Sequence, residues 1–427
     1  MTDFLPFLVL FMILIVALGA FNDRVTKLTY EIALMLFSIG VGGILLIVSM
    51  NMGAGDVKNT IDQVLTFDLD DYLMKGVLCF MLFAGSCHMR VKDFEKFWRQ
   101  ISVLSIIATL LGAIFYGLLF YLVSAVLHLG FTLPMCLMFG SIVAPTDPIA
   151  ATSILKKFGL PKHISFLIEG ESLLNDGVGV ALFVCFSGMV KASGGEENVL
   201  LIMLREILGA AVIGLAVTAV FFLIFYLTKD VHRQIFCSIA AVSLSYLLCE
   251  IFDFSGAIAS VVCGVLFSSL RHRAEKKGKE WNLEKYDGFW EIMDDLLNSV
   301  LYVALGLSFI RSLAMPHVIL ISLLAIACNL AARSGSLAVS TLILGPIPDG
   351  YDKPNFIKLL TWGGLRGGLC IALAMSTTDM IPPDVFRIVL GATYAIVAFT
   401  TIVQGLTMPK VYRGIQRSLN NKAPAGS

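Results

Sequence analysis

The sequence predicts an all-α protein that crosses a membrane many times. Of its 427 residues, 57% are hydrophobic and only 15% are charged, whereas a soluble globular chain is typically about one quarter charged. The apolar residues come in long runs, and a run of about 20 such residues spans a bilayer as a helix. These runs lack the strict alternation of membrane β-barrel strands, which favours helices. The net charge is zero, so the composition gives no reason to expect a nucleic-acid partner.

Apolar runs separated by polar breaks predict about 13 membrane spans. They lie near residues 5–20, 28–50, 72–89, 101–127, 132–155, 164–190, 200–227, 234–251, 254–270, 288–310, 317–344, 355–378 and 385–408. The first run has no basic residue before it, unlike a signal peptide, so it is interpreted as a retained span. We expect one transmembrane domain over residues 1–410 and a short tail over 411–427.

The basic residues predict the orientation of these spans. Loops that follow odd-numbered spans hold about 22 Lys and Arg residues, and loops that follow even-numbered spans hold about 3. The positive-inside rule places the first set in the cytoplasm. The N-terminus is therefore expected outside and the C-terminus inside, in the cell (inner or plasma) membrane.

Two of the spans are interrupted. Span five contains "APTDPIA" (144–150), in which Pro145 and Pro148 bracket Thr146 and Asp147, and span twelve contains "TWGGLRGGLC" (361–370). Proline disrupts the helix before it, and irregular backbone at membrane depth survives only where protein or a polar cavity satisfies it. Being seven spans apart, the two run in opposite directions, as an inverted six-plus-six repeat predicts. Repeat one would cover about 5–190, a linker helix about 200–227, and repeat two about 234–408.

Span six contains "IEGESLLND", a polar stretch inside an apolar helix. Glu171, Ser172, Asn175 and Asp176 fall at i, i+1, i+4 and i+5, which places them on one stripe. A carboxylate at membrane depth costs about 2.5–3.5 kcal/mol, so intramembrane acids mark functional sites. The stripe offers only oxygen ligands and the amide nitrogen, and oxygen ligands suit hard cations. Asp147 adds a carboxylate at similar depth.

These residues suggest a mechanism of ion exchange. Asp176 can bind a proton or a metal cation but hardly both, and competition for one carboxylate is sufficient to exchange the two ions. Arg333 is the expected partner of Glu171, because an unpaired buried charge is expensive. Arg366 could pair with Asp147 or with carbonyls at a helix end. Asp294, Asp295 and Asn298 open span ten near the cytoplasm. The two aspartates could form an entry vestibule, but solvated side chains are the favoured interpretation.

Four motifs in order resemble the monovalent cation:proton antiporters, in the branch of NhaP and the eukaryotic sodium/proton exchangers. They are "APTDPIA", "EGESLLND" (169–176), "FWEIMDDLLNSVLYVALGL" (289–307) and "WGGLRGGLCIALAMS" (362–376). The resemblance implies 13 helices, an inverted repeat, two crossed broken helices and a homodimer.

The same resemblance implies roles for individual residues. Asp176 would be the transporting carboxylate, and Ser172 and the backbone of Thr146 would touch Na⁺. Asp147 would support the site, and Glu171 would pair with Arg333. Asparagine at 175 is typical of the electroneutral branch, whose electrogenic counterpart has aspartate there.

The predicted function is secondary antiport of Na⁺ (or Li⁺) against H⁺, one for one, by alternating access, in the service of pH homeostasis. The alternative is K⁺/H⁺ antiport on the same scaffold. An ion channel is less favoured because neither repeated filter loops nor rings of like charge occur. An intramembrane hydrolase would require paired aspartates in a protease-type motif, which the sequence lacks. No ATP-binding motif occurs, so we expect a transporter driven by an ion gradient, without a cofactor and without enzymatic activity.

Overall fold

The computed structural model describes residues 4–51, 78–87, 91–147, 151–152, 155–156, 158–192, 199–278, 281, 283–313, 318–345, 347 and 351–422. Within these ranges the chain is helical apart from connections, and no β-strand forms. The acidic loop 56–71, both ends of span three (72–77 and 88–89) and Pro148 lie outside the described residues.

Helices follow one another along the chain, interrupted by three short π-helical segments. The first eight are α1 (Phe4–Phe21), α2 (Tyr30–Asn51), α3 (Leu78–Cys87), α4 (Val91–Ser102), α5 (Thr109–Leu127), α6 (Leu133–Ile142), α7 (Lys162–Ala192) and α8 (Val199–Leu227). The next eight are α9 (Val231–Ile251), α10 (Gly256–Lys276), α11 (Leu283–Leu313), α12 (Val318–Ile343), α13 (Lys353–Gly363), α14 (Gly368–Met375), α15 (Pro383–Ala398) and α16 (Gly405–Lys422). The π-helical segments are Asn22–Thr26, Val103–Ala108 and Phe399–Gln404.

Eight of the described helical stretches are long and apolar enough to cross a membrane. This confirms a multi-pass, all-α membrane protein, and the count of thirteen spans stays a prediction. The two interrupted spans are divided as their sequences indicate. Span five is helical over α6 and then loses its helix, and span twelve is split into α13 and α14 between Gly363 and Gly368.

Helix extends beyond two of the predicted spans. Span four is predicted to begin at 101, and the helix before it starts at Val91 and bends at Phe97. The short tail predicted after 410 is helical, because α16 continues through it to Lys422. Its apolar side chains recur at helical spacing, so one face of the tail packs inward: Tyr412 and Ile415 are buried.

The interrupted helices lie in the interior of the fold because small residues let them approach their neighbours. Gly140 on α6 touches the backbone of Ala113 on α5 so closely that a methyl group there would collide with the Ala113 carbonyl. Helices in membranes pack in this way through small residues. The approach carries the end of α6, and the break beyond it, into the centre of the molecule beside α7.

Candidate ion-binding site

The two broken helices meet at the site. The backbone N–H of Asp147 donates to the carbonyl of Leu365 at 2.8 Å, so the break after α6 pairs with the break between α13 and α14. Gly367 allows a close approach at this crossing, since a methyl group there would lie 3.0 Å from Asp147 Oδ2. The pairing gives a hydrogen bond to backbone groups that would otherwise be unsatisfied at membrane depth.

Arg366, in the second break, caps the carbonyl end of the first. Its Nη1 donates to the carbonyls of Ala144 at 2.5 Å and Pro145 at 2.8 Å, and its Nη2 donates to Asn329 Oδ1 at 3.0 Å. A cation is favourable at the C-terminal end of a helix, where the carbonyls carry partial negative charge. Of the two partners expected for Arg366, the structure shows the carbonyls.

The arginine is itself held by the π-helical segment that precedes α16. Its backbone N–H donates to Thr400 Oγ1 at 3.1 Å. Thr401 Oγ1 donates to the Arg366 carbonyl at 3.4 Å. Arg366 is buried, at 3% exposed. Its backbone N–H and its carbonyl are both hydrogen-bonded, which fixes the position of its backbone.

Two members of the polar stripe on α7 bind the other break directly. Asn175 Nδ2 donates to Thr146 Oγ1 at 2.7 Å, and Asn175 Oδ1 accepts from the Thr146 N–H at 3.3 Å. The Ser172 hydroxyl donates to the Thr146 carbonyl. Asn175 and Ser172 are fully buried. Three polar groups of Thr146 are thus held by two side chains one helical turn apart on α7.

The third member of the stripe forms an ion pair. Glu171 Oε1 lies 2.7 Å from Arg333 Nη2 on α12, and the two side chains are 2% and 5% exposed. Because each charge neutralises the other, the pair removes both from the charge balance of the site. It also joins α7 to α12 at membrane depth, where leaving either charge unpaired would be costly.

Asp176 is the member of the stripe without a partner. It makes no hydrogen bond or ion pair with any residue in the described ranges, and it is half-buried. The charged groups whose electrostatic fields reach it are Asp147 and Asp294, both acidic. A carboxylate in this setting can be stabilised by a proton or by a cation.

Asp147 has a hydroxyl partner and a cavity beside it. Tyr302 OH on α11 donates to Asp147 Oδ2 at 3.0 Å. A cavity of about 10 Å³ lies between these two residues and the start of α2, where Glu31 lines its wall together with Asp295 of α11. The structure thus brings Asp295, one of the two aspartates that open span ten, to the cavity. Asn298 also lines it, and Asn298 Nδ2 donates to Asp294 Oδ1 at 3.2 Å.

Sequence reasoning missed five residues of this arrangement: Tyr302, Asn329, Thr400, Thr401 and Glu31. Helical spacing could have revealed two of them. Tyr302 is four residues after Asn298, and Asn329 is four residues before Arg333, so each shares a face with a residue already noted. Thr400, Thr401 and Glu31 come from distant segments, and local spacing carries no signal for them.

Comparison with known proteins places this arrangement in a family. Residues 8–413 match the family described as the transmembrane sodium/hydrogen exchanger. The Na⁺/H⁺ antiporter NhaP of Pseudomonas aeruginosa is 27% identical over 422 residues, which cover 94% of this chain and 96% of that protein. The Na⁺/H⁺ antiporter NhaH of Halobacillus dabanensis is 30% identical over 334 residues, covering 76% of this chain and 78% of that protein.

The fold has a counterpart among solved structures. The sodium proton antiporter MjNhaP1 from Methanocaldococcus jannaschii superposes with a TM-score of 0.77 at 19% identity, covering 96% of this chain and 98% of that one. The interrupted helices, the carboxylates between them and the match over nearly the whole chain lead to one conclusion: this protein is a member of the transmembrane sodium/hydrogen exchanger family.

Proposed function

We propose that the protein exchanges Na⁺ (or Li⁺) for H⁺ across the membrane, with the two ions competing for Asp176. One observation carries the proposal: Asp176 is a carboxylate in a membrane helix, beside the crossing of two broken helices, without a partner in the described part of the chain. Ion sites of transporters lie at such interruptions. The names of the antiporters that resemble the chain over most of its length support sodium as the cation.

The proposed Na⁺ site uses Asp176, Ser172 and Thr146, with Asp147 in support. These groups present carboxylate, hydroxyl and carbonyl oxygens, which are the ligands of hard cations. Ser172 and Asn175 already hold Thr146, so the carbonyl is positioned before an ion arrives. Such preorganisation lowers the cost of ordering the ligands on binding.

The charge balance supports exchange of one proton for one cation. Glu171 is neutralised by Arg333 at 2.7 Å, and Asn175 is an amide that carries no charge. Asp176 is then the single member of the α7 stripe that can exchange a proton for a cation. A transport cycle that moves one positive charge each way carries no net charge across the membrane.

The access route and assembly are also proposals. The cavity beside Asp147 lies near the first turn of α2, which the basic residues before it place on the cytoplasmic side. Its acidic residues would attract cations to the site. We propose a multi-pass protein of the cell membrane, with its N-terminus outside and its C-terminus inside, that works as a homodimer. Its energy comes from an ion gradient, it uses no cofactor, and it is a transporter, not an enzyme.

Exchange in proteoliposomes that contain a pH-sensitive dye tests the proposal. An imposed Na⁺ or Li⁺ gradient is expected to drive proton movement, whereas K⁺ is expected to drive little. Asp176→Asn should abolish the signal. The control Asp384→Asn removes a carboxylate whose side chain is 92% exposed, and should exchange normally. Normal exchange by Asp176→Asn would contradict the proposed site.

Electroneutrality needs a separate measurement in the same vesicles. A potassium gradient with valinomycin sets the membrane potential without changing the Na⁺ gradient. The exchange rate is expected to be the same at each potential, because no net charge moves. A clear dependence of the rate on the potential would contradict one-for-one exchange.

A further inference from the structure

We infer that a second cavity, next to the crossing, binds one ordered water molecule that bridges Arg333 and Arg366. The cavity lies between α5, α6 and α12, and Arg366 also lines it. Its volume is about 10 Å³. That volume has room for about one water molecule. Nothing in the proposed exchange of Na⁺ for H⁺ requires this site, and it stands whether or not that function is correct.

Four buried polar atoms among the lining residues have no protein partner in the described ranges. They are Thr109 Oγ1, Tyr116 OH, Arg333 Nε and Arg366 Nε. Each of the four residues is at most 5% exposed. Leaving a buried polar group unpaired costs about 1–3 kcal/mol, and native proteins pair nearly all such groups with protein or ordered water. Four in one small cavity indicate a shared partner.

Three other nitrogens of the two arginines are already engaged. Arg333 Nη2 lies beside Glu171, and the two Nη atoms of Arg366 bind Ala144, Pro145 and Asn329. Among the guanidinium nitrogens of these two residues, the Nε atoms are the buried ones left without a hydrogen-bond partner in the described ranges. Both arginines line the same cavity as Thr109 and Tyr116.

The hydrogen-bonding chemistry matches water. Each Nε–H can only donate, whereas the hydroxyls of Thr109 and Tyr116 can accept. A water molecule accepts two hydrogen bonds and donates two, so it can satisfy all four groups at once. An apolar filling would satisfy none of them. A halide could accept from four donors, but the Arg366 guanidinium already has three oxygen acceptors.

The water would connect two parts of the ion-binding site. Arg333 holds α7 through Glu171, and Arg366 caps the carbonyl end beyond α6. A water between their Nε atoms links these two contacts through one hydrogen-bonded chain. Thr109 and Tyr116 are then positioning residues for the arginines, and they need not touch the transported ion.

Direct observation tests the site. A structure of the purified protein at a resolution that shows ordered water should contain one peak within about 2.7–3.2 Å of both Nε atoms. In the double variant Thr109→Val and Tyr116→Phe the peak should weaken or vanish. A cavity without density in the wild-type protein would overturn the inference, as would an anomalous bromide peak in crystals grown with bromide, which would identify an anion.

Thermal unfolding supplies an independent readout with a matched control. Thr393 on α15 also has a buried hydroxyl without a protein partner in the described ranges, and it does not line the cavity. Thr393→Val should leave Tm unchanged or raise it, because a methyl group replaces an unpaired hydroxyl. Thr109→Val, the same substitution, should lower Tm because it removes a bond to the water. Equal behaviour of the two variants would overturn the inference.

Discussion

The N–H of Asp147 donates to the carbonyl of Leu365 at 2.8 Å, and this bond joins the interruptions of two membrane helices. Around it, the first break is stabilised by side chains from elsewhere: Arg366 binds the carbonyls of Ala144 and Pro145, and Asn175 binds Thr146. The second break is held by Thr400, whose Oγ1 accepts from the backbone N–H of Arg366. Contacts of this kind give testable predictions.

Arg366→Lys is predicted to reduce exchange by about tenfold or more. The guanidinium reaches two carbonyls and one amide oxygen at once, whereas a lysine ammonium is a single point charge that cannot reproduce the fork. Losing charge-assisted hydrogen bonds costs about 1.5–3 kcal/mol each. The initial rate of proton movement in proteoliposomes measures the effect. The control Lys358→Arg on α13 is the reverse substitution outside the site, and it should leave the rate of proton movement unchanged.

Glu171→Gln is predicted to destabilise the protein more than loss of both partners does. The single change leaves Arg333 as an uncompensated buried charge, and breaking a buried pair in this way costs about 3–5 kcal/mol. The double variant Glu171→Gln and Arg333→Gln should recover part of the loss, because no charge is left unpaired. Thermal unfolding in detergent measures both. If the double variant loses as much stability as Glu171→Gln and Arg333→Gln lose in sum, the pair is not coupled.

Asn175→Ala is predicted to lower both stability and exchange. The amide holds the N–H and the hydroxyl of Thr146, so its removal leaves buried groups unpaired at about 1–3 kcal/mol. Asn355→Ala is the matched control, since Asn355 bonds Ser418 at 3.2 Å near the other end of α13. That variant should exchange at the normal rate. Normal exchange by Asn175→Ala would show that the Asn175 contacts to Thr146 are not needed for ion binding.

Tyr302→Phe is predicted to raise KM for Na⁺ by about twofold to tenfold with a smaller change in kcat. The phenol donates to Asp147 Oδ2 at 3.0 Å, and one hydrogen bond of about 0.5–1.5 kcal/mol supports the carboxylate that assists the ion. Exchange measured over a range of Na⁺ concentrations gives both constants. Tyr121→Phe removes a phenol that is 40% exposed, and it should change neither.

Much of the fold could be predicted because membrane helices carry a strong local signal. Apolar runs located the helices, and Pro145 and the glycines near 363–368 marked the breaks. Two helices extend beyond the predicted spans for a physical reason: α4 and α16 are amphipathic, and mean apolarity underestimates helices that bury only one face. The number of spans also depends on where the membrane lies, and apolar runs indicate this only through their length.

The candidate site was less predictable than the fold. The α7 stripe is local, so spacing alone placed Ser172, Asn175 and Asp176 on one face. The choice of partners for Arg366 depends on the crossing angle of two helices, which no sequence period encodes. Asn329 and Tyr302 share helical faces with Arg333 and Asn298, and a search at i±4 would have found them. Glu31 and Thr400 reach the site through tertiary packing.

The central claim is that Na⁺ and H⁺ compete for Asp176. It is tested most directly by measuring proton release when Na⁺ is added to the purified protein in weakly buffered detergent solution. Competition for one carboxylate predicts one proton released for each Na⁺ bound, and no release from Asp176→Asn. Binding of Na⁺ without proton release, or undiminished release from Asp176→Asn, would contradict the account.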